Sequence, residues 1–127
     1  MSPEYLKTRT KLFAINVLHL CKRIPKTEEN NVIKHQLAKS GTSVGANYRA
    51  ACRARSQNEF ISKICIVNEE ADESAYWLEI IREAGILNDD STRLLQKEAN
   101  ELNAIFTAAS NTARRNRFEN KDDKSSR

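Results

Sequence analysis

Residues 69–83 hold the densest set of acid–base groups in the chain: Glu69, Glu70, Asp72, Glu73, Glu79 and Glu83. Carboxylates grouped on a helix can act as general acid and base, or hold two iron ions inside a bundle. The iron site needs two Glu-x-x-His pairs and two further glutamates facing inward. Only His19 and His35 exist, and Asn16 and Val32 stand three positions before them, so that site is excluded. Glu69 and Glu73 are four apart, as are Glu79 and Glu83, a like-charge spacing that slightly destabilises an isolated helix. Arginines of the preceding helix, or of a neighbouring subunit, would offset it. Acid–base catalysis also lacks a companion nucleophile, metal cluster or glycine-rich pocket. The run Gly41–Gly45, GTSVG, is no Walker loop, because Lys39 and Ser40 precede the first glycine where a lysine and hydroxyl must follow the second. Cys21, Cys52 and Cys65 fit no CxxC zinc spacing. Odd in number and placed on apolar or small helical stripes, they read as buried, reduced thiols of a cytoplasmic protein. The expectation is a protein that is not an enzyme and takes no metal or cofactor.

The chemistry that remains is that of cations. Residues 1–55 carry eleven Lys/Arg against three Asp/Glu, a net +8; residues 56–90 are net −7 and residues 91–127 net +3. Basic segments therefore flank an acidic one, which suits either a phosphate-binding surface or the packing of basic helices beside an acidic one. The candidates for phosphate contact are Lys22, Arg23, Lys26, Arg49, Arg53, Arg55, Arg114, Arg115 and Arg117. The competing role is ion pairing between subunits by Arg49 and Arg53, with the others serving solubility. No RNA-reading motif is present, and aromatics at 6% are too sparse for a stacking platform.

Four helices have to position these groups. At 127 residues the chain makes one domain, and three glycines with two prolines argue against a turn-rich β fold. The first helix is predicted over about 4–23, with Leu6, Thr10, Phe13, Val17, Leu20 and Ile24 in one stripe and Ala14, Leu18 and Cys21 widening it. Lys7, Arg9 and Lys11 before LFAINVLHLC suggest a signal peptide, but the run contains Asn16 and His19 and lacks a small-residue cleavage site. It is also too short and polar to span a bilayer. Thr27 caps a second helix over 28–55, whose core line is Ile33, Leu37, Ser40, Val44, Tyr48 and Ala51. Its small residues, Gly41 and Gly45 above all, mark a close approach by another helix. Ser56 with Glu59 forms a capping box for a third helix over 57–84, with Phe60, Ile64, Val67, Ala71, Ala75 and Leu78 on one face. Gly85 ends it in a Schellman stop, with Ile86 folding back on Ile81. Ile66, Trp77 and Ile80 project from the acidic side, an apolar stripe that a lone bundle would leave wet. With Arg49, Glu69 and Glu73 they are the candidate oligomer interface. The fourth helix is predicted over 89–113, carrying Leu94, Leu95, Leu102, Ile105, Phe106 and Ala109, followed by a basic, disordered tail over 114–127. Short connections make this an up-down-up-down, all-α bundle.

The runs SGTSVGANYRAACRARSQNEFISK and EEADESAYWLEII carry a resemblance. They are similar to a bacterial four-helix-bundle family first met as the protein encoded in intervening sequences of 23S ribosomal RNA genes. The likeness extends from Phe13 to about Phe106 and is densest between Gln36 and Ile81. It implies a single bundle without a catalytic site that assembles as a homopentamer. A related group, the accessory proteins of diversity-generating retroelements, shares the architecture and binds nucleic acid and a reverse transcriptase. Residues and resemblance together lead to an expected function: a non-catalytic, oligomeric bundle that binds nucleic acid, RNA foremost, through basic patches. The alternative is a ring-shaped scaffold or accessory subunit, for example for a reverse transcriptase. Neither reading places the protein in a membrane.

Overall fold

The computed structural model describes the backbone of residues 1–125 and the side chains as far as Glu119. Its first helix begins at a local signal. The Ser2 hydroxyl accepts the Tyr5 amide at 3.1 Å, and Pro3 takes a first-turn position where its missing N–H costs nothing. Helix α1 then runs Pro3–Arg23 and stops where Ile24 turns extended ahead of Pro25. Thr27 accepts the Asn30 amide at 3.0 Å and starts α2, Glu28–Cys52. This helix is three residues shorter than expected. Arg53 is its C-cap at φ −102°, ψ 10°, because Ser56 must already be extended to cap the next helix.

Helix α3 spans Gln57–Glu83, with the Glu59 amide 3.1 Å from the Ser56 hydroxyl. The Glu59 carboxylate reaches back to accept the Arg55 amide at 3.3 Å, one residue before the cap itself. Gly85, at φ 74°, sits in the left-handed region that a Cβ disfavours. The Gly85 amide donates to Arg82 O at 3.0 Å and the Ile86 amide to Ile81 O at 2.9 Å, the paired bonds of a Schellman stop. Asp89 then accepts the Thr92 amide at 2.9 Å at the head of α4, Asp90–Ser125.

Consecutive helices pack antiparallel, and α1 returns against α4 over a shorter stretch, closing an up-down-up-down bundle. The core is built from Leu6, Phe13, Val17 and Leu20 of α1, Leu37, Val44 and Tyr48 of α2, Ile64, Val67, Leu78 and Ile81 of α3, and Leu95, Leu102 and Phe106 of α4. Tyr48 and Phe106 meet across the bundle with ring centroids 5.4 Å apart. Buried hydroxyls are satisfied locally: Thr10 donates to Leu6 O at 2.8 Å, and Ser74 lies 3.0 Å from Ser40 across α2 and α3. Gly41 and Gly45 are both buried against α1, facing Val17 and Thr10.

Two expectations are corrected here. α4 does not end near Ala113 but continues through Ser125; residues 126–127, the end of the expected tail, lie outside the described residues. Residues 114–125 contain no glycine or proline to stop the helix. Arg114 and Arg117 also tie that stretch to α3, through Cys65 Sγ at 3.0 Å and Asn58 Oδ1 at 3.3 Å. Leu94 is not a core residue: it is 67% exposed while Leu95 is buried, because a step of one residue turns it about 100° round the helix, here onto the solvent side.

Candidate nucleic-acid interface

Antiparallel packing decides which cations share a surface. The first turns of α1, the last turns of α2, the start of α3 and the late turns of α4 all lie at one end of the bundle. The Arg117–Asn58 bond joins α4 to α3 there, and a notch lined by Glu4, Lys7, Thr8, Lys11, Arg49 and Arg53 joins α1 to α2. Arg49, Arg53 and Arg55 thus lie at the same end as Arg114, Arg115 and Arg117, and all six are exposed. Lys7 and Lys11, which the sequence did not single out as phosphate ligands, join them. Their signal was i,i+4 spacing on one face of the first helix; their partners are some forty positions away in the chain.

Lys22, Arg23 and Lys26 are at the opposite end, about 22 Å along α1 from Lys7 at 1.5 Å per residue. Arg23 is committed there. Its guanidinium donates to Asp89 Oδ2 at 2.5 Å and to the Ser91 hydroxyl at 2.9 Å. With Thr92 also donating, Asp89 is held well below the usual carboxylate range. Lys22 and Lys26 instead rim a groove of about 800 Å³ between α1 and α2, floored by Ile15, Leu18, Cys21 and Ala38, with Lys34 and His35 on its other wall. Arg9 is likewise committed: its Nε donates to Glu98 Oε2 at 2.8 Å and its Nη2 to Glu101 Oε2 at 2.7 Å, bridging α1 to α4. Arg49, Arg53 and Arg55 make no ion pair among the described residues.

The acidic face of α3 is less exposed than its sequence suggests. Ile66, Trp77 and Ile80 are half-buried, and Trp77 packs on the core while its Nε1 donates to Glu73 at 3.2 Å. Glu69 is exposed, and no arginine of α2 pairs with it or with Glu73 among the described residues. Burial, and then the neighbouring Glu73, push the Glu70 carboxyl up. The open apolar face belongs to α1 instead: Leu12, Ile15 and Leu18 are exposed, Leu12 on the side of Leu94 of α4 and the other two towards α2. The reason lies in the packing order. α3 is flanked along its length by α2 and α4, so its second stripe is partly covered, whereas α4 covers α1 only over a short stretch.

Two of the three thiols are less buried than expected. Cys21 is buried and its thiol is pushed up by burial, Cys65 is half-buried, and Cys52 is exposed because α2 ends there. None is in a disulfide.

Fold and surface define a class: an all-α, up-down-up-down bundle with six exposed arginines at one end. Among the described residues, no group of three or more His, Cys, Asp or Glu could hold a metal ion, and no helix is long and apolar enough to cross a membrane. Residues 6–108 match the 23S rRNA-intervening sequence protein family, and the chain belongs to that family. It is similar to a protein of unknown function from the S23 ribosomal protein family of Bacteroides thetaiotaomicron, whose crystal structure superposes with a TM-score of 0.74 at 30% identity, covering 82% of this chain and 96% of that one. No curated protein matches the chain.

Proposed function

We propose that the protein is a non-catalytic RNA-binding bundle whose basic end grips the phosphodiester backbone, and that it acts as a homo-oligomer. The observation that carries this reading is the convergence of α1, α2 and α4 cations at one end, where Arg49, Arg53 and Arg55 have no carboxylate committed to them among the described residues. Cations left free of internal partners are available to displace the counterions condensed on a nucleic acid. Tyr5 and Phe118, 50% and 66% exposed at the same end, add two faces on which unpaired bases can stack. Contacts of this kind position a strand without reading its sequence. The names of the family and of its Bacteroides relative, one from an rRNA intervening sequence and the other ribosomal, fit an RNA setting. Repetition of the basic end around an oligomer would strengthen the field at each copy.

The test is a pair of charge-neutralised variants. Arg114→Gln/Arg115→Gln/Arg117→Gln should weaken binding of single-stranded RNA uniformly across sequences, while Lys22→Gln/Lys26→Gln at the far end should not. Equal loss in both would mean diffuse charge rather than a basic end. A second reading, a protein-binding scaffold or accessory subunit, is favoured by the exposed Leu12, Ile15, Leu18 and Leu94. It expects a tight, salt-tolerant protein partner and weak RNA binding.

A further inference from the structure

We propose that the notch between the first turns of α1 and the last turns of α2 is a built phosphate-binding site, the point where the basic end holds its ligand; this rests on the RNA-binding reading above. The notch has a volume of about 340 Å³, and its walls carry Lys7 and Lys11 on one helix and Arg49 and Arg53 on the other. Each pair is spaced i,i+4, so each wall is a short ladder of cations about 6 Å apart at 1.5 Å per residue. Like charges at that spacing repel, and here two such ladders face one another across one opening. An anion in the notch relieves both repulsions together.

The donors are of the right kinds. Two guanidiniums offer planar forks that match two phosphate oxygens at once, two ammoniums add point charge, and the Thr8 hydroxyl supplies a neutral donor. The one carboxylate in the lining, Glu4, lies 3.2 Å from Lys7 Nζ, which leaves three cations for a ligand. No aromatic or aliphatic side chain lines the notch, so it takes the charged backbone of a strand and leaves the bases outside.

The phosphate has two possible sources, a phosphodiester in RNA and a free phosphate dianion, and the experiment separates them. Amide chemical shifts of the full-length protein are followed by NMR during titration with a short oligouridylate, and separately with inorganic phosphate against chloride at constant ionic strength. Shifts at residues 7–11 and 49–53 with the oligonucleotide alone assign the diester; shifts with both show that phosphate itself suffices. No shift at either segment in either titration overturns the proposal. In parallel, Arg49→Gln/Arg53→Gln should lower oligouridylate affinity and reduce the salt slope by about 0.7, for the one phosphate of a single strand that the notch no longer neutralises. Both substitutions are at exposed positions, and circular dichroism checks that the bundle persists. An unchanged slope in this variant, with a lowered one in Arg114→Gln/Arg115→Gln/Arg117→Gln, discards the notch and keeps the RNA-binding reading. Phosphate shifts in the notch without any RNA retention by the native protein discard that reading and keep the notch.

Discussion

A Cβ on Gly41 would lie 2.8 Å from both γ-carbons of Val17, closer than real Cβ atoms approach a neighbour. Val17 is fully buried, and its β-branched side chain has little rotamer freedom in a helix, so it cannot swing away. The α1–α2 seam therefore depends on the absence of one methyl group. Gly41→Ala should destabilise the bundle by about 1–3 kcal/mol through overpacking, outweighing the ~1 kcal/mol that alanine gains over glycine in an exposed helix. Val17→Ala in the same chain should recover part of that loss, giving less than the sum of the single changes. Chemical denaturation reads both. A raised midpoint for Gly41→Ala would contradict the close approach.

Asp89 links the start of α4 to the end of α1, and the link is pH-dependent. Arg23 first, then Thr92, hold its carboxyl well below the ordinary 3.8. Its folded value is depressed, so the unfolded chain binds the proton more readily and stability rises with pH. The contribution is complete above the ordinary carboxylate range and is lost as pH falls through 3.8 towards the lower native value. Asp89→Asn should therefore lower stability most at neutral pH, where the contribution is complete, and least in acid, where the native carboxyl is itself protonated, so that the acid limb of a plot of stability against pH flattens. An acid limb identical to that of the native protein would show that Arg23 and Asp89 do not pair in solution.

These two features differ in how far they could be read from sequence. The cap at Ser56, the stop at Gly85 and the stripe from Leu6 to Ile24 are local patterns, resting on spacings of three to five residues, and they are legible in the chain itself. Gly41 and Gly45 can be recognised as close-packing positions from their one-turn spacing, but not that Val17 and Thr10 are what they approach. Arg23 reads as a phosphate ligand in sequence because its partner Asp89 is 66 residues away. Lack of periodicity after Ala113 suggests disorder, though nothing in residues 114–125 breaks a helix. The basic end exists only once four helices are antiparallel, and for that reason Lys7 and Lys11 do not stand out.

The open face of α1 makes a separate prediction about assembly. Leu12, Ile15 and Leu18 form an apolar stripe without a partner in the monomer, and the groove beside it is rimmed by Lys22, Lys26 and Lys34. Ile15→Glu/Leu18→Glu should leave helix content unchanged and reduce the mass in solution towards 14.5 kDa, the single chain. Light scattering at micromolar concentration measures it. A native mass already at the single-chain value would remove self-association from the proposal; a mass unaffected by the double change would place the interface elsewhere.

The central claim, that the basic end binds RNA through phosphates, is tested most directly by filter binding of native protein to single-stranded rRNA fragments across a range of salt. The prediction is retention at low salt, similar affinity for unrelated sequences, and a log–log slope of about −0.7 per phosphate neutralised. With the cations of the basic end engaged, that slope should be several units steep. No retention at low salt, or retention indifferent to salt, would contradict the claim.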